Sequence, residues 1–484
     1  MNERFGFDRF LSPFTWRYGS EEMREIFSEV EYRAIWRRIW VQLAEAQSDY
    51  GLVTKEEVEE LRSKMGKEHV DLRRAHEWER RIRHDVMAEI KTFAEQCPKA
   101  GGKIHLGATS ADVEDNADIY RMKKGLELIL ARLVTCLDLL TESIEKYKDL
   151  TCMAWTHLQP AEPTTLGYRL ANYAQDLVLD IRLVEYLLKN VLRGKGVKGA
   201  VGTYASFKSM LKDKVPPSLL EEKVMASMGL DTFPVATQTY PRKVDYLVLT
   251  VLASVAQSAH KFAFDLRLMQ SPAFGELAEP REDEQVGSTT MPFKRNPISA
   301  ERICSLARYI GVLPLVAFTN ASATLLERTL DDSANRRIII PEGFLALDEC
   351  LILYQKILAG LRVYPAMIKK NLERFGPFAG TEPLLMKLVE KGCDRQEMHE
   401  LIRKYSLKAW ESVMRGEENP IASLLKNEPL ISSKLRPEEV DELLDPRAYI
   451  GEASSRCELF IKDVVRPILE KYKDKVSYRE IEGF

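Results

Sequence analysis

Apolar residues recur at helical spacing along three long stretches in the middle of the chain. The first set runs over 119–144, the second over 166–191 and the third over 244–269. The intervals alternate between three and four residues, which places each set on one face of an α-helix. A helix of about thirty residues is roughly 45 Å long, and such rods bury an apolar face best by lying side by side. The pattern predicts a bundle of long helices, and we interpret these faces as core packing.

Shorter helices are predicted on both sides of this bundle. Ser20 and Thr54 each precede acidic residues in a helix-capping pattern, and a further helix is expected from about Asp71 to Glu95. Beyond Val363 the apolar spacing shortens and turns containing proline become frequent, whereas runs typical of strands are scarce. We therefore predict an all-α fold with three helical domains, at 1–111, 112–363 and 364–484, of which the central one is the long bundle.

Composition narrows the class of protein. Lys and Arg total 70 against 73 Asp and Glu, so the net charge of −3 does not favour general nucleic-acid binding. The seven cysteines are scattered without a C-x-x-C pair, as is typical of a reducing compartment. The N-terminus is charged where a signal peptide is apolar, and the uncharged stretch 309–326 contains polar residues and a proline. We expect a cytoplasmic protein in which 309–326 is a buried helix rather than a membrane span.

Two polar stretches at predicted helix starts carry candidate chemistry. Arg83, His84 and Asp85 lie together, and Thr109 and Ser110 directly precede the first long helix. Hydroxyl and free amide groups at the positive end of a helix suit a carboxylate or phosphate, although an ordinary N-cap is the alternative.

His157, between Trp155 and two prolines, is expected in a rigid non-helical turn, where it is either a proton donor or a structural histidine.

Two later stretches add a hydroxyl, an amide and several cations. The segment 287–297 holds Ser288, Lys294 and Asn296 among small residues and prolines, which favours either a closing lid or a plain surface loop. Arg328 and Arg337 flank Ser333 in a segment with three arginines, which can grip a phosphate or dicarboxylate or pair internally with nearby aspartates.

Several other classes of site are disfavoured. The segment 194–199 matches G-x-G-x-x-G, but a predicted helix precedes it where a dinucleotide site needs a strand. The sequence contains neither a P-loop motif nor zinc-ligand spacing. We predict no metal and no cofactor.

Taken together, these motifs resemble the fumarase/aspartase superfamily. Its signature loop G-S-x-x-M-P-x-K-x-N is matched from Gly287 to Asn296, and HLGATS, THLQPAEPTT, GVKGAVGTYASF and ERTLDDSANRR follow the order of the adenylosuccinate lyase family. The resemblance implies elimination of fumarate from two small-molecule substrates, adenylosuccinate, which gives AMP, and SAICAR, which gives AICAR. The alternatives are another fumarate-releasing lyase, such as argininosuccinate lyase, or a catalytically silent relative.

The resemblance also assigns roles to residues. It implies that Ser288 is the general base and His157 the general acid. Because serine is a weak base, we expect loop closure to exclude water and to bring Lys294 close enough to favour the serine anion. His84, flanked by Arg83 and Asp85, would orient substrate or relay a proton. The groups implied to hold the substrate carboxylate are Thr109, Ser110, Gln238, Lys294 and Asn296. Those implied to hold the nucleotide phosphate are Arg17, Tyr18, Arg328, Ser333 and Arg337, with Arg302 also lining the site. The family forms homotetramers whose active sites are shared between subunits, and the same is expected here, with neither nucleic acid nor membrane as a partner.

Overall fold

The computed structural model describes residues 6–212, 214–282 and 284–476, so 1–5 and 477–484 of the predicted outer domains lie outside it. Helices make up 67% of the chain and strands 4%, which confirms the all-α prediction.

The N-terminal part contains five α-helices among the described residues, and the capping patterns are confirmed. Ser20 and Thr54 accept hydrogen bonds from the first turns of their helices, Thr54 in a complete capping box. The prediction of a single helix from Asp71 to Glu95 is wrong, because the helix is interrupted at Arg83. Arg83 takes a left-handed conformation with φ of 58°, and His84 then caps the next helix through Nδ1. The helices are α1 (Glu21–Ile26), α2 (Glu29–Ser48), α3 (Lys55–Arg62), α4 (Leu72–Ile82) and α5 (Asp85–Gln96).

Long helices form the bundle in the middle of the chain, as predicted. The longest has 37 residues, which corresponds to about 55 Å. The helices are α6 (Ala111–Tyr147), α7 (Leu166–Tyr186), α8 (Ala205–Leu211), α9 (Pro217–Ser227), α10 (Lys243–Gln270), α11 (Ile298–Ala323) and α12 (Ser333–Ala359). Their apolar faces meet in one core, which the N-terminal helices and Cys457, Ile461 and Val465 also join.

Two short antiparallel sheets flank the bundle. In the first, β1 (Thr151–Thr156) pairs with β2 (Gln159–Thr165), and in the second, β3 (Leu277–Ala278) pairs with β4 (Arg362–Val363). The first sheet joins the end of α6 to the start of α7, so its turn lies at one end of the bundle.

A second apolar core lies in the C-terminal part, between Leu384 and Leu444. The helices of this part are α13 (Pro365–Phe375), α14 (Thr381–Glu390), α15 (Arg395–Met414), α16 (Ile421–Lys426), α17 (Pro429–Ser432), α18 (Pro437–Leu443), α19 (Ala453–Phe460) and α20 (Arg466–Lys471). The division into three domains stays a prediction.

The bundle helix α11 leaves part of its apolar surface uncovered in the single chain. By length and composition α10 and α11 match membrane spans, as core helices of soluble proteins also do, and 50% and 39% of their most apolar windows are buried. The expectation of a buried helix at 309–326 is therefore wrong in part for one chain, since the helix ends at Ala323 and Val312, Leu315 and Phe318 are exposed. An exposed apolar face on a bundle helix is typical of a contact surface.

Candidate active site

A buried ion pair holds the turn that carries Thr109 and Ser110. Ser110 takes the N-cap position of α6, while Asp112 Oδ2 accepts a hydrogen bond from Thr109 N at 2.9 Å. Asp112 also bonds Lys195 Nζ, and both side chains are fully buried. The capping contact comes from Asp112, so the Ser110 hydroxyl at the helix start can face a ligand.

Gln238 and Glu327 bring two further predicted segments to this turn. Gln238 Nε2 lies 3.5 Å from Thr109 Oγ1, and Gln238 N donates to Glu327 O at 3.3 Å. The segment before α10 and the segment that precedes Arg328 therefore meet beside the start of α6.

The predicted arginine segment lines a cavity of about 130 Å³ with Arg328, Ser333 and Arg337. Deeper in the cavity, Arg242 contacts Asp115 and Asp332 at 3.1 and 2.8 Å, so its charge is neutralised. Arg328 and Arg337 lie nearer the solvent, with side chains 25% and 51% exposed. These two outer arginines are the cations available to an anionic ligand.

Asp85 links the helix that His84 caps to this cavity. Asp85 Oδ2 lies 2.6 Å from Arg337 Nη2, and Glu114 Oε1 lies 3.6 Å from the same nitrogen. Burial acts to raise the pKa of the Asp85 carboxyl, but the hydrogen bond and charge of Arg337 outweigh it, and the pKa lies below its ordinary value. Burial, reinforced by the charges of Asp85 and Asp115, raises the pKa of Glu114 to about 8.

The signature loop holds Ser288 between backbone donors. Ser288 Oγ accepts hydrogen bonds from Met291 N at 3.1 Å and Thr290 N at 3.3 Å, a pair of donors that stabilises negative charge on the oxygen. A side chain on Gly287 would place its Cβ 2.1 Å from Lys294 O, so the tight loop requires glycine there. Asn296 Nδ2 donates to Gly287 O at 2.9 Å and closes the loop.

This loop is anchored to the end of α10. Gln270 Nε2 donates to Arg295 O at 3.0 Å, and the loop borders a cavity of about 500 Å³ that Lys294 and Asn296 line. The Lys294 side chain is exposed.

His157 occupies the turn between β1 and β2, as the predicted non-helical turn required. His157 and Leu158 have φ of 54° and 58°, the left-handed region that two-residue hairpin turns use. The exposed His157 imidazole borders a cavity of about 610 Å³, formed with Tyr168, Arg169 and Asp265.

Arg17, Tyr18 and Arg302 lie apart from the other predicted phosphate ligands. The Arg17 guanidinium is 5.9 Å and the Arg302 guanidinium 5.6 Å from the centre of the Tyr18 ring, and Arg302 Nη1 contacts Glu349 at 3.1 Å. Glu349 is twelve residues from Arg337 along α12, which corresponds to about 18 Å.

Most of the other predicted residues fall at the two ends of the bundle that one chain forms. The signature loop ends where α11 begins, and Arg328 follows its other end, 26 residues or about 39 Å away. His157 follows the far end of α6, about 55 Å from the start that carries Thr109. One chain brings together His84, Asp85, Thr109, Ser110, Gln238, Arg328, Ser333 and Arg337, but it leaves Ser288, Lys294, Asn296 and His157 at the opposite end.

Sequence reasoning missed three charged side chains near this site. Asp112 and Lys195 support Thr109, and Glu114 faces Arg337. Lys195 belongs to the glycine-rich segment 194–199, and its burial has no local sequence signal. Among the described residues, no group of three or more His, Cys, Asp or Glu side chains is arranged to hold a metal ion.

The long bundle and its signature loop define a lyase of the fumarase/aspartase superfamily. The sequence matches a family described as "Lyase" over residues 18–311 and one described as "Adenylosuccinate lyase C-terminus" over residues 377–460. It is 42% identical to the adenylosuccinate lyase of Schistosoma mansoni, over 97% of each chain, and 40% identical to that of Saccharomyces cerevisiae, over 98% of each. The chain belongs to the adenylosuccinate lyase family.

Solved structures share the same fold. The 3-carboxy-cis,cis-muconate lactonizing enzyme of Pseudomonas putida superposes with a TM-score of 0.81 at 25% identity, over 96% of this chain and 99% of that one. A fumarate lyase of Mesorhizobium gives a TM-score of 0.80 at 23% identity, over 94% and 98%. Because one fold supports different reactions, the reaction of this protein has to be argued from the residues of its site.

Proposed function

We propose that this protein is a cytoplasmic adenylosuccinate lyase that eliminates fumarate from adenylosuccinate and from SAICAR. The observation that carries the proposal is the arginine cavity with Arg328, Ser333 and Arg337, which lies beside the helix start of Thr109 and Ser110. A phosphate grip and a carboxylate-binding helix start are the two features that a succinylated nucleotide needs.

Ser288 acts as the general base of the elimination in its alkoxide form, after its hydroxyl proton has passed to solvent before the loop closes. It removes a proton from the carbon next to a substrate carboxylate, which leaves a carbanion on that carbon. The electron pair of the carbanion then forms the double bond of fumarate as the carbon–nitrogen bond breaks. His157 donates a proton to the leaving nitrogen. The amides of Thr290 and Met291 support this role, because they donate to the serine oxygen that carries the negative charge before it takes the substrate proton.

The carbanion pushes charge into its carboxylate, which needs fixed donors. Thr109, Ser110 and Gln238 supply them from the turn that Asp112 fixes, and Lys294 and Asn296 supply them from the signature loop. Lys294 approaches Ser288 when the loop closes over substrate and excludes water.

The nucleotide phosphate favours this substrate over argininosuccinate. Arg328 and Arg337 are exposed enough to exchange their aspartate contacts for phosphate oxygens, whereas Arg242 stays paired with Asp115 and Asp332. Arginine is suited to forked recognition of phosphate. Arg17, Tyr18 and Arg302 complete the grip from a neighbouring copy.

The lengths of the helices support a site that is shared between copies of a homotetramer. Since Ser288 and Arg337 are separated by the length of α11, a complete site needs the signature loop of one copy beside the arginine cavity of another. Antiparallel association of the bundles brings opposite ends together. The exposed apolar residues Leu179, Leu183, Phe264, Leu315 and Phe318 on α7, α10 and α11 supply a surface for this contact.

Mixing two inactive variants tests this assembly. Ser288→Ala and Arg337→Ala are each expected to abolish turnover, whereas hybrids formed by co-expression contain some sites with both wild-type residues. Random mixing should restore about a quarter of wild-type activity if one site takes these residues from different copies. Hybrids that stay inactive, although mass measurement shows mixed tetramers, would contradict the shared site.

A further inference from the structure

Two carboxylates share one arginine nitrogen at the mouth of the arginine cavity. Asp85 Oδ2 and Glu114 Oε1 lie 2.6 and 3.6 Å from Arg337 Nη2, so the two acids are no more than about 6 Å apart. Their side chains are only 20% and 18% exposed. Two shielded carboxylates beside one cation do not both ionise easily, and the one with fewer partners keeps its proton.

Glu114 is the less well partnered acid. Asp85 Oδ2 receives a short hydrogen bond from Arg337, and its Oδ1 accepts from Val86 N at 2.8 Å. Glu114 has the longer contact to Arg337, and burial together with the charge of Asp85 raises its pKa to about 8.

The other charged groups around Glu114 have partners of their own. On α6, Asp115 pairs with Arg242, and Asp118 pairs with Arg121 and Arg336. On α2, Glu29 bonds Arg33, and the Tyr32 hydroxyl, whose pKa burial raises well above its usual range, lies 3.5 Å from Glu114 O.

We propose that Glu114 is a positioning residue whose protonated form admits the nucleotide phosphate to Arg337, a role that rests on the proposed function of this cavity. When Glu114 is neutral, Arg337 has one carboxylate to exchange for phosphate. When Glu114 is ionised, a second negative charge faces the incoming dianion and also competes for the same guanidinium. Binding of a phosphate dianion and ionisation of Glu114 therefore oppose each other.

Calorimetric titration of the full-length protein with AMP between pH 7.5 and 9.5 tests this role. A phosphate monoester has its second pKa near 6, so AMP remains a dianion over this range. If protonated Glu114 is required, each pH unit above its pKa weakens binding up to about tenfold, and the Kd should rise at least about tenfold from pH 7.5 to 9.5. Glu114→Gln, which fixes the neutral form, should vary less than about twofold over the same range.

Glu127→Gln is the matched control, because Glu127 lies on the same helix and pairs with Lys124 at 3.0 Å. It should keep the wild-type pH dependence. A wild-type Kd that is constant with pH, or a slope that persists in Glu114→Gln, would overturn the role of Glu114. If Glu114→Gln does not fold, Glu114→Ala gives the same comparison. Failure of AMP to bind at every pH would instead overturn the nucleotide site itself.

Discussion

The buried pair of Asp112 and Lys195 supports a quantitative prediction. The Asp112 carboxylate accepts hydrogen bonds from Thr109 N, Lys198 N and Gly199 N at 2.9, 3.0 and 3.0 Å, in addition to its bond with Lys195. Lys195 Nζ has one other contact, with Gly199 O at 3.0 Å. Asp112→Asn therefore leaves a buried ammonium with little compensation, whereas Lys195→Met leaves a carboxylate that still has three amide donors.

Removing one partner of a buried ion pair costs about 3–5 kcal/mol. With an unfolding entropy of about 2.1 cal/mol/K per residue, a chain of 484 residues shifts its unfolding midpoint by about 1 °C for each kcal/mol. Asp112→Asn should lower the midpoint by about 3–5 °C, and Lys195→Met by less. Asp112→Asn should also lower kcat/KM, since Thr109 loses the carboxylate that fixes its turn.

Scanning calorimetry and steady-state kinetics of both variants and of the double variant measure these effects. The double variant should lose less than the sum of the single losses, because no unpaired charge remains. Equal midpoints for the two single variants, or fully additive losses, would refute the reasoning.

Two further predictions concern the signature loop and acid stability. Gly287→Ala should lower kcat by about tenfold or more with little change in the unfolding midpoint, because a Cβ at 2.1 Å from Lys294 O opens an exposed loop. Steady-state kinetics and calorimetry check the two effects. Full activity of the variant would contradict the requirement for glycine in this loop. Burial lowers the pKa of His105 to about 4 from 6.5, while its Nδ1 accepts a hydrogen bond from Trp40 at 2.9 Å. The neutral imidazole therefore contributes up to about 3 kcal/mol of stability, which is complete above pH 6.5 and is lost as the pH falls towards 4. Denaturant unfolding at several pH values should show this loss in the wild type and a smaller loss in His105→Asn. An equal change of unfolding free energy with pH in the two proteins would count against the role of His105.

The sequence predicted the long helices well, because a helix that buries one face repeats its apolar residues at fixed intervals. It did not predict the break between α4 and α5, since Arg83 enters the left-handed region without a glycine or proline to signal it. The hairpin that carries His157 was expected only as a turn, because its prolines and charged residue obscure the strand pattern.

The sequence predicted which residues belong to the candidate site, but not where they lie in the structure. Motifs identify Ser288 and Arg337, but only the structure shows that α11, a helix about 39 Å long, lies between their segments in one chain. The sequence does not reveal the supporting groups Lys195 and Glu114, for a different reason. Burial of Lys195 and the approach of Glu114 to Arg337 depend on segments that are distant in sequence, and local composition does not report such contacts.

The most direct test of the account is to incubate the purified protein with adenylosuccinate and follow loss of the succinylated purine absorbance, with AMP and fumarate quantified by chromatography. The account predicts equal amounts of both products from the wild type, and loss of turnover in Ser288→Ala and His157→Ala enzymes that remain folded. Absence of both products from a wild-type tetramer, or near-normal turnover in Ser288→Ala, would contradict it. Argininosuccinate would then be the next substrate to try.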